Sequence, residues 1–303
     1  MQKSGFMSAV LAFGLWGVFP VYWKMLESVP ADEILAHRIF WSFVSMVILL
    51  YVLGIKERVR KELGVFRENK QVFLFVAVGS VLVSINWFTY IWAVNDGRVL
   101  ETSLGYYINP LVSVLIGIVF LGEKLTLWQV LSVILAFLGV LNMAISFGSM
   151  PWVAITLALS MGFYGFCKKK AALGAFSSMT VETFLIAPFA LVYLLYTHTG
   201  TSWIPEINLV NVLLVSAGFV TVVPLLLFTI AATRLPLSIL GLVQYLTPTM
   251  SFLLGVFLYR EEFTGTHMIS FALIWTALII FTLSNFGLLP GKEKRGETCA
   301  KNK

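Results

Sequence analysis

Ten long apolar runs, separated by short polar breaks, leave few folds open to this sequence. Each run holds about twenty residues, the length that a helix needs to cross the hydrocarbon of a bilayer. Because lipid offers the backbone no hydrogen-bond partners, each run should be helical. The predicted spans are 4–24, 33–53, 71–94, 102–121, 128–147, 150–168, 179–197, 208–232, 238–258 and 268–287. The sequence therefore predicts an all-α integral membrane protein with ten transmembrane helices.

Composition agrees with a membrane protein and argues against cofactors. Of the 303 residues, 59% are hydrophobic and only 12% are charged, too few charges to cover a soluble domain. The first run follows Lys3 and lacks a small-residue cleavage site, so an uncleaved span is expected instead of a signal peptide. Two isolated cysteines, Cys167 and Cys299, predict neither a disulfide framework nor a metal site. We expect no cofactor.

The distribution of Lys and Arg predicts the orientation of the chain. With a cytoplasmic N-terminus, about seventeen of these residues fall on the cytoplasmic side, many of them in the 54–70 loop, and about three fall outside. Both termini are then predicted to be cytoplasmic. The formal net charge of +6 is better explained by orientation and by contact with anionic lipids than by nucleic-acid binding.

An internal repeat is visible when the chain is shifted by about 138 positions. Residues 103–126 then match residues 241–264 at about eight positions. The identities include the pairs Tyr107 and Tyr245, Pro110 and Pro248, Ser113 and Ser251, Gly117 and Gly255, and Glu123 and Glu261. A weaker match relates Gly14 and Gly17 to Gly162 and Gly165.

This repeat predicts the domain organisation. The predicted units are a first five-helix repeat at 1–148, a second at 149–287 and a polar cytoplasmic tail at 288–303. Because five is an odd number, the second copy is expected to be inverted in the membrane. Inverted-topology repeats are typical of transporters that work by alternating access.

Polar residues within the spans predict a substrate site near the bilayer midplane. Tyr106, Asn109 and Ser113 fall on one helical face, and the repeat places Gln244 and Thr247 at matching positions. The candidate binding residues are Asn86, Tyr90, Tyr106, Asn109, Gln244 and Thr247, with helix breaks predicted at Pro110, Pro224 and Pro248. In the alternative interpretation the prolines only kink helices, and Asn109 and Gln244 bond across a helix interface.

Two charged residues inside spans are candidates for charge coupling. Arg38 would cost roughly 2.5–3.5 kcal/mol at mid-bilayer, so it should face water or a partner, unless it reaches out to the nearby outer surface. Glu182 is a candidate carrier of a coupling proton, although a carboxylate near a helix N-terminus is also favoured without any function. Glu123 and Glu261 end their spans and are expected to be boundary residues that bond loop amides.

Four segments carry a family resemblance that covers nearly the whole chain. They are GLWGVFPVYWK (14–24), VPADEILAHRIFWS (29–42), LGYYINPLVSVLIGIVFLGE (104–123) and FTIAATRLPLSILGLVQYLTPT (228–249). They resemble the drug/metabolite transporter superfamily and, among its EamA-type members, the RarD branch, named for chloramphenicol sensitivity. The resemblance implies ten helices in a bacterial inner membrane and a cavity bounded by both repeats.

The favoured function is secondary transport, as an exporter, of a small polar or amphipathic metabolite or drug. No phosphate-binding glycine loop predicts direct use of ATP, and proton coupling and facilitation both stay open. The alternatives are a structural or regulatory membrane protein and, less favoured because no catalytic cluster is present, a membrane-embedded enzyme. The expected partners are a small-molecule substrate and membrane lipids but no nucleic acid, and self-association is left open.

Overall fold

The computed structural model is all-helical over the residues that it describes, which are 2–26, 28–95, 99–147, 152–197, 208–258, 265–285 and 287–289. The helices are α1 (Gln2–Lys24), α2 (Ala31–Val52), α3 (Lys56–Glu62), α4 (Val65–Glu68), α5 (Lys70–Asn95), α6 (Val99–Leu121), α7 (Leu127–Phe147), α8 (Trp152–Ala171), α9 (Ala175–Thr197), α10 (Leu209–Arg234), α11 (Leu237–Val243), α12 (Leu246–Phe257) and α13 (Gly265–Asn285). These ranges contain no strand, so the predicted all-α class is confirmed.

Within the described residues, eight helices are long and apolar enough to cross a membrane: α1, α2, α5, α6, α7, α9, α10 and α13. The sixth predicted span coincides with α8, which ends in three lysines and is not among the eight. The ninth coincides with the two shorter helices α11 and α12. The chain is thus a multi-pass helical membrane protein, and the count of ten spans stays a prediction.

The prolines act differently from the prediction of three helix breaks. α6 and α10 continue through Pro110 and Pro224, so the breaks predicted there are wrong. Membrane helices tolerate an internal proline when neighbouring groups satisfy the one freed carbonyl. The ninth predicted span is divided just before Pro248, which is the third residue of α12, where an N–H would have no partner within the helix anyway.

Contacts between the two halves of the chain dominate the packing. α1 packs on α10 and α12, α2 on α9 and α10, and α5 on α8 and α9. α6 packs on α8 and α11, while α7 packs on α13. One buried apolar core surrounds α1, α10 and α11, and a second lies between α6, α7 and α13. Polar groups on these helices therefore meet between the halves.

Glycines bring several of these helices close together. At Gly218 of α10, a Cβ atom would overlap the backbone of Trp41 in α2. At Gly139 of α7, it would come within 2.9 Å of the Ser270 carbonyl oxygen in α13. Small residues let membrane helices approach in this way. The contact at Gly218 places α2, which carries the candidate residue Arg38, beside the middle of α10.

Several predicted features lie outside the described residues. They are Arg98 and Arg260, two of the three basic residues that the charge distribution predicts to be outside, Glu261 of the second repeat, and most of the 288–303 tail. The side chain of Ser251 is also not described.

Candidate functional site

Arg38 enters the interior of the bundle between three helices. It lies seven residues after the start of α2, and its Nε atom donates a hydrogen bond of 2.8 Å to Thr221 Oγ1. Thr221 is fully buried and lies twelve residues into α10, or about 18 Å along it at the rise of an α-helix. The guanidinium therefore reaches toward the bilayer middle instead of toward the nearer surface.

Two indole rings flank this guanidinium, and two phenols lie within range of its charge. Its Cζ atom lies 4.2 Å from the ring centre of Trp87 and 5.2 Å from that of Trp23, both within the range of cation–π attraction. It also interacts electrostatically with the phenols of Tyr90 and Tyr106, whose ring centres are 5.7 Å apart. The structure thus brings Arg38 together with two of the predicted binding residues, and it adds Trp23, Trp87 and Thr221.

No carboxylate pairs with Arg38 among the residues that the structure describes. Its Nε–H is bonded to Thr221, and the four N–H groups on its two Nη atoms have no acceptor in the same part of the chain. A cation inside a membrane bundle normally has a partner or faces water. Arg38 is therefore a charged group with hydrogen-bonding capacity to spare.

Deeper in the bundle, two buried polar atoms lack hydrogen bonds. Asn109 lies near the middle of α6 and is 7% exposed, and its Oδ1 atom has no partner among the described residues. The same holds for the Oη atom of Tyr245, between α11 and α12. Such orphans are rare in native structures, so each points to water or a ligand. Tyr245 was known from the sequence only as a repeat match.

The other predicted binding residues are engaged in helix packing. Asn86 donates through Nδ2 to the Leu157 carbonyl oxygen at 2.9 Å and to Ser160 Oγ at 3.0 Å, both in α8. Thr247 Oγ1 donates to the carbonyl oxygen of Phe13 in α1 at 2.8 Å.

Gln244 has a weaker contact, since its Oε1 atom accepts from Ser113 Oγ at 3.4 Å. This bond crosses from α6 to the turn that follows α11. The structure thus places Asn109, Tyr106 and Tyr90 where polar capacity is unused, and Asn86 and Thr247 where it is used.

Glu182 is held in a buried network and does not face open space. Its Oε1 atom lies 2.5 Å from Lys168 Nζ, and the two side chains are 4% and 2% exposed. Tyr164 donates to its Oε2 atom at 3.0 Å, and Ser178 to its Oε1 atom at 2.9 Å. Lys168 lies at the end of the sixth predicted span but is buried, because it follows Tyr164 by four residues and shares the side of α8 from which both side chains contact Glu182.

Glu123 joins the end of α6 to the start of α11. Its carboxylate accepts from the backbone N–H groups of Leu237 at 2.6 Å and Ser238 at 2.8 Å, and from Ser238 Oγ at 2.7 Å. Lys169 Nζ lies 3.4 Å away. The prediction that Glu123 bonds backbone amides is confirmed.

This environment also shifts the ionisation of Glu123. Burial by itself would raise the pKa of the carboxyl, but the bonds from Ser238 and Leu237 and the charge of Lys169 together lower it. The carboxylate is therefore the stable form at this helix start.

In a multi-pass helical bundle, polar groups that lie between the two halves without a partner among the described residues indicate a functional site inside the membrane. The chain belongs to the EamA-like transporter family, whose model matches residues 3–145 and, again, residues 149–283. This confirms the resemblance seen in the sequence. It also identifies the chain as a multi-pass protein of the bacterial inner membrane.

Curated relatives extend over most of this chain. An uncharacterized transporter from Bacillus subtilis, YojE, is 47% identical over 291 residues, which cover 93% of this chain and 94% of YojE. The protein RarD of Escherichia coli is 45% identical over 283 residues, with 93% and 94% covered. A chloramphenicol-sensitive protein RarD from Pseudomonas aeruginosa is 28% identical over 298 residues, with 98% and 99% covered.

A solved crystal structure shares the fold. It superposes with a TM-score of 0.72 at 17% identity, covering 96% of this chain and 100% of its own.

Proposed function

We propose that this protein is a secondary exporter of a small polar or amphipathic metabolite or drug, working by alternating access. The observation that carries the proposal is Asn109 Oδ1, a buried oxygen at the middle of α6 that has no hydrogen-bond partner among the described residues. A group of this kind is costly unless a water or ligand bonds it, so its retention favours a role in binding. Asn109 contributes a polar anchor, and Tyr90 and Tyr106 contribute aromatic surface, between helices of both halves.

Ten spans in two inverted repeats, with both termini cytoplasmic, are part of this proposal. The family model matches the chain twice, once in each half, which supports the repeat. The glycine contacts support it further, because Gly14 and Gly17 pack on Met250 while Gly162 packs on Val112. Positions 112 and 250 are separated by the same 138 residues as the matched segments.

We assign the remaining candidates by their contacts. Asn86 fixes α5 on α8, Thr247 fixes α12 on α1, and Gln244 stays available through its amide nitrogen. Glu123 closes one end by holding α6 to α11, so opening there requires its amide bonds to break. Glu182 acts as a structural charge, because Lys168 neutralises it.

The first experiment is a thermal-shift screen of the purified protein against amino acids, nucleosides, common metabolites and chloramphenicol-like drugs. A ligand at about 100 times its Kd adds about 2.7 kcal/mol to the stability of the folded state. Hits proceed to counterflow in proteoliposomes with and without an imposed proton gradient. Transport of a hit supports the proposal, and a protein that binds no member and moves none fits the alternative of a structural or regulatory role.

Asn109→Ala and Asn142→Ala form a matched pair for locating the site. Asn142 Nδ2 is bonded to Ser270 Oγ at 3.0 Å and to the Thr266 carbonyl oxygen at 3.2 Å, far along α7. We expect Asn109→Ala to abolish the ligand-induced shift and to leave the melting temperature unchanged, because the Asn109 side chain has no hydrogen bond to any described residue. Asn142→Ala should lower stability by about 1 kcal/mol and keep the shift. The reverse pattern would disprove the site.

A further inference from the structure

Arg38 carries a charge for which the described residues offer no carboxylate, and the helix packing does not explain why it is there. Two other cations that are buried or half-buried have carboxylate partners: Lys168 has Glu182, and Lys169 has Glu123. Arg38 has one neutral hydroxyl, Thr221, and four aromatic rings. Rings and a hydroxyl attract a cation but do not neutralise it.

We infer that the missing counter-ion is the substrate, an organic carboxylate with a flat apolar body. The inference rests on the proposed transport function and specifies its substrate class. The guanidinium would bind the carboxylate through its Nη atoms, and Tyr90 and Tyr106 would face the rest of the molecule.

The geometry of the guanidinium suits a carboxylate. Its Nε–H is committed to Thr221, which fixes the plane of the group, while both Nη atoms keep their N–H donors. Two parallel donors match the two oxygens of a carboxylate in a bidentate pair. The indoles of Trp87 and Trp23 lie against the guanidinium, so they restrict its rotation further.

The phenols supply both apolar surface and additional donors. The rings of Tyr90 and Tyr106 are tilted by 58° with centres 5.7 Å apart, which leaves faces and edges for a planar ligand. Their hydroxyls have no bonding partner among the described residues, and both interact with the charge of Arg38. One guanidinium carries one positive charge, so a monoanion balances it where a phosphate dianion would not.

A set of matched ligands tests the charge preference directly. The probes are benzoate, phenylacetate and 3-phenylpropionate, the amide and the amine of each, and phenyl phosphate. Binding to the purified full-length protein is read by thermal shift and by the fluorescence of the tryptophans, two of which flank Arg38. We expect each carboxylate to bind at least about tenfold more tightly than its amide, and the amines not to bind.

Three variants assign any preference to Arg38. Arg38→Gln should bind carboxylate and amide equally, with the affinity for the amide unchanged. Arg38→Lys should keep the sign of the preference but weaken it, because an ammonium cannot form the planar pair. Arg234→Gln is the matched control, since Arg234 Nη1 bonds Ser4 Oγ at the exposed end of α10, at 2.8 Å. It should behave like the wild type.

Each other outcome overturns the inference. A carboxylate preference that persists in Arg38→Gln places the anion elsewhere. Tighter binding of phenyl phosphate, of the amides or of the amines assigns a different substrate class, and an equal response to all probes, or none, removes the anion site. If Arg38→Gln fails to fold, Thr221→Val is the second variant, and it should reduce the preference severalfold by releasing Nε. The transport assay of the proposed function is separate and can succeed while this inference fails.

Discussion

Two cations of this protein, the buried Lys168 and the half-buried Arg38, are held in opposite ways. Lys168 lies 2.5 Å from Glu182, and Tyr164 and Ser178 complete a closed network between α8 and α9. The side chain of Arg38 has a single hydrogen bond, to Thr221, and no carboxylate partner among the described residues. Both residues lie on helices of the same membrane bundle, so the membrane environment alone does not explain why Lys168 has a carboxylate partner and Arg38 has none among the described residues.

The comparison separates charges that maintain a fold from charges that are available for binding. In a closed network every donor and acceptor is used, so a ligand has nothing to bind without breaking the structure. At Arg38, by contrast, the fold already contains the free-energy cost of removing a charge from water. An anion that binds there forms hydrogen bonds and an ion pair without breaking any bond within the protein. Burial of an ionisable group alone therefore does not identify a site, because the unused bonding capacity decides.

The largest expected effect is the loss of one partner of the closed pair. Glu182→Gln or Lys168→Met should each lower the free energy of unfolding by about 3–5 kcal/mol, because the remaining charge is buried without a partner. The double variant should recover most of that loss. Equilibrium unfolding in mixed micelles measures all three, and Arg58→Gln serves as a control, since Arg58 is 77% exposed in its pair with Glu62. A double variant as unstable as the singles would contradict the closed-network interpretation.

An intermediate effect is expected at Glu123, which is closed by backbone amides as well as by Lys169. Its folded-state pKa is lowered, so its contribution is fully present above the ordinary carboxyl pKa of 4.5 and disappears as pH falls through the lower folded value. At neutral pH, Glu123→Gln should cost about 1.5–3 kcal/mol. Below pH 4.5, the wild type should lose this advantage. Unfolding curves of the wild type and of Glu123→Gln over this pH range measure the difference in stability. A difference that does not change with pH would show that the charge of Glu123 does not contribute to stability.

The smallest effect on stability is expected at the open charge. Arg38→Gln should change the free energy of unfolding by no more than about 1 kcal/mol, because the lost cation–π contacts are offset by the removal of a half-buried charge that has no carboxylate partner among the described residues. The same unfolding assay measures it without ligand. A loss of unfolding free energy as large as that of Glu182→Gln would mean that Arg38 has a structural role. The distinction between the two cations would then be wrong.

The sequence predicted the helical class well, because apolar runs of about twenty residues have few other solutions in a membrane. It also singled out Arg38, since a charge within such a run is conspicuous. It did not reveal that Trp23, Trp87 and Thr221 surround this residue. Those three lie on three different helices, and only the packing of α5 and α10 on α2, with α1 on α10, brings them together.

Lys168 and Pro224 show two further limits of sequence patterns. Lys168 belongs to a run of three lysines at the end of a span, which is typical of a surface cluster, and only the rotation of α8 turns it toward Glu182. Pro224 predicted a break, yet α10 continues through it. Whether a proline interrupts a membrane helix depends on its neighbours, which a single sequence does not show.

The geometry of the Arg38 site depends on Gly218, a residue without a side chain that could contact a ligand. Its missing side chain lets α10 rest on the backbone of Trp41, and the contact lies one helical turn from both Arg38 and Thr221. The size of the residue at position 218 therefore sets the distance between α2 and α10, and with it the position of the guanidinium relative to Thr221. Even a methyl group there would push the helices apart and draw the charge away from its anchor, with every ligand-facing side chain unchanged. Relatives with identical binding residues can thus differ in the size of molecule that they accept.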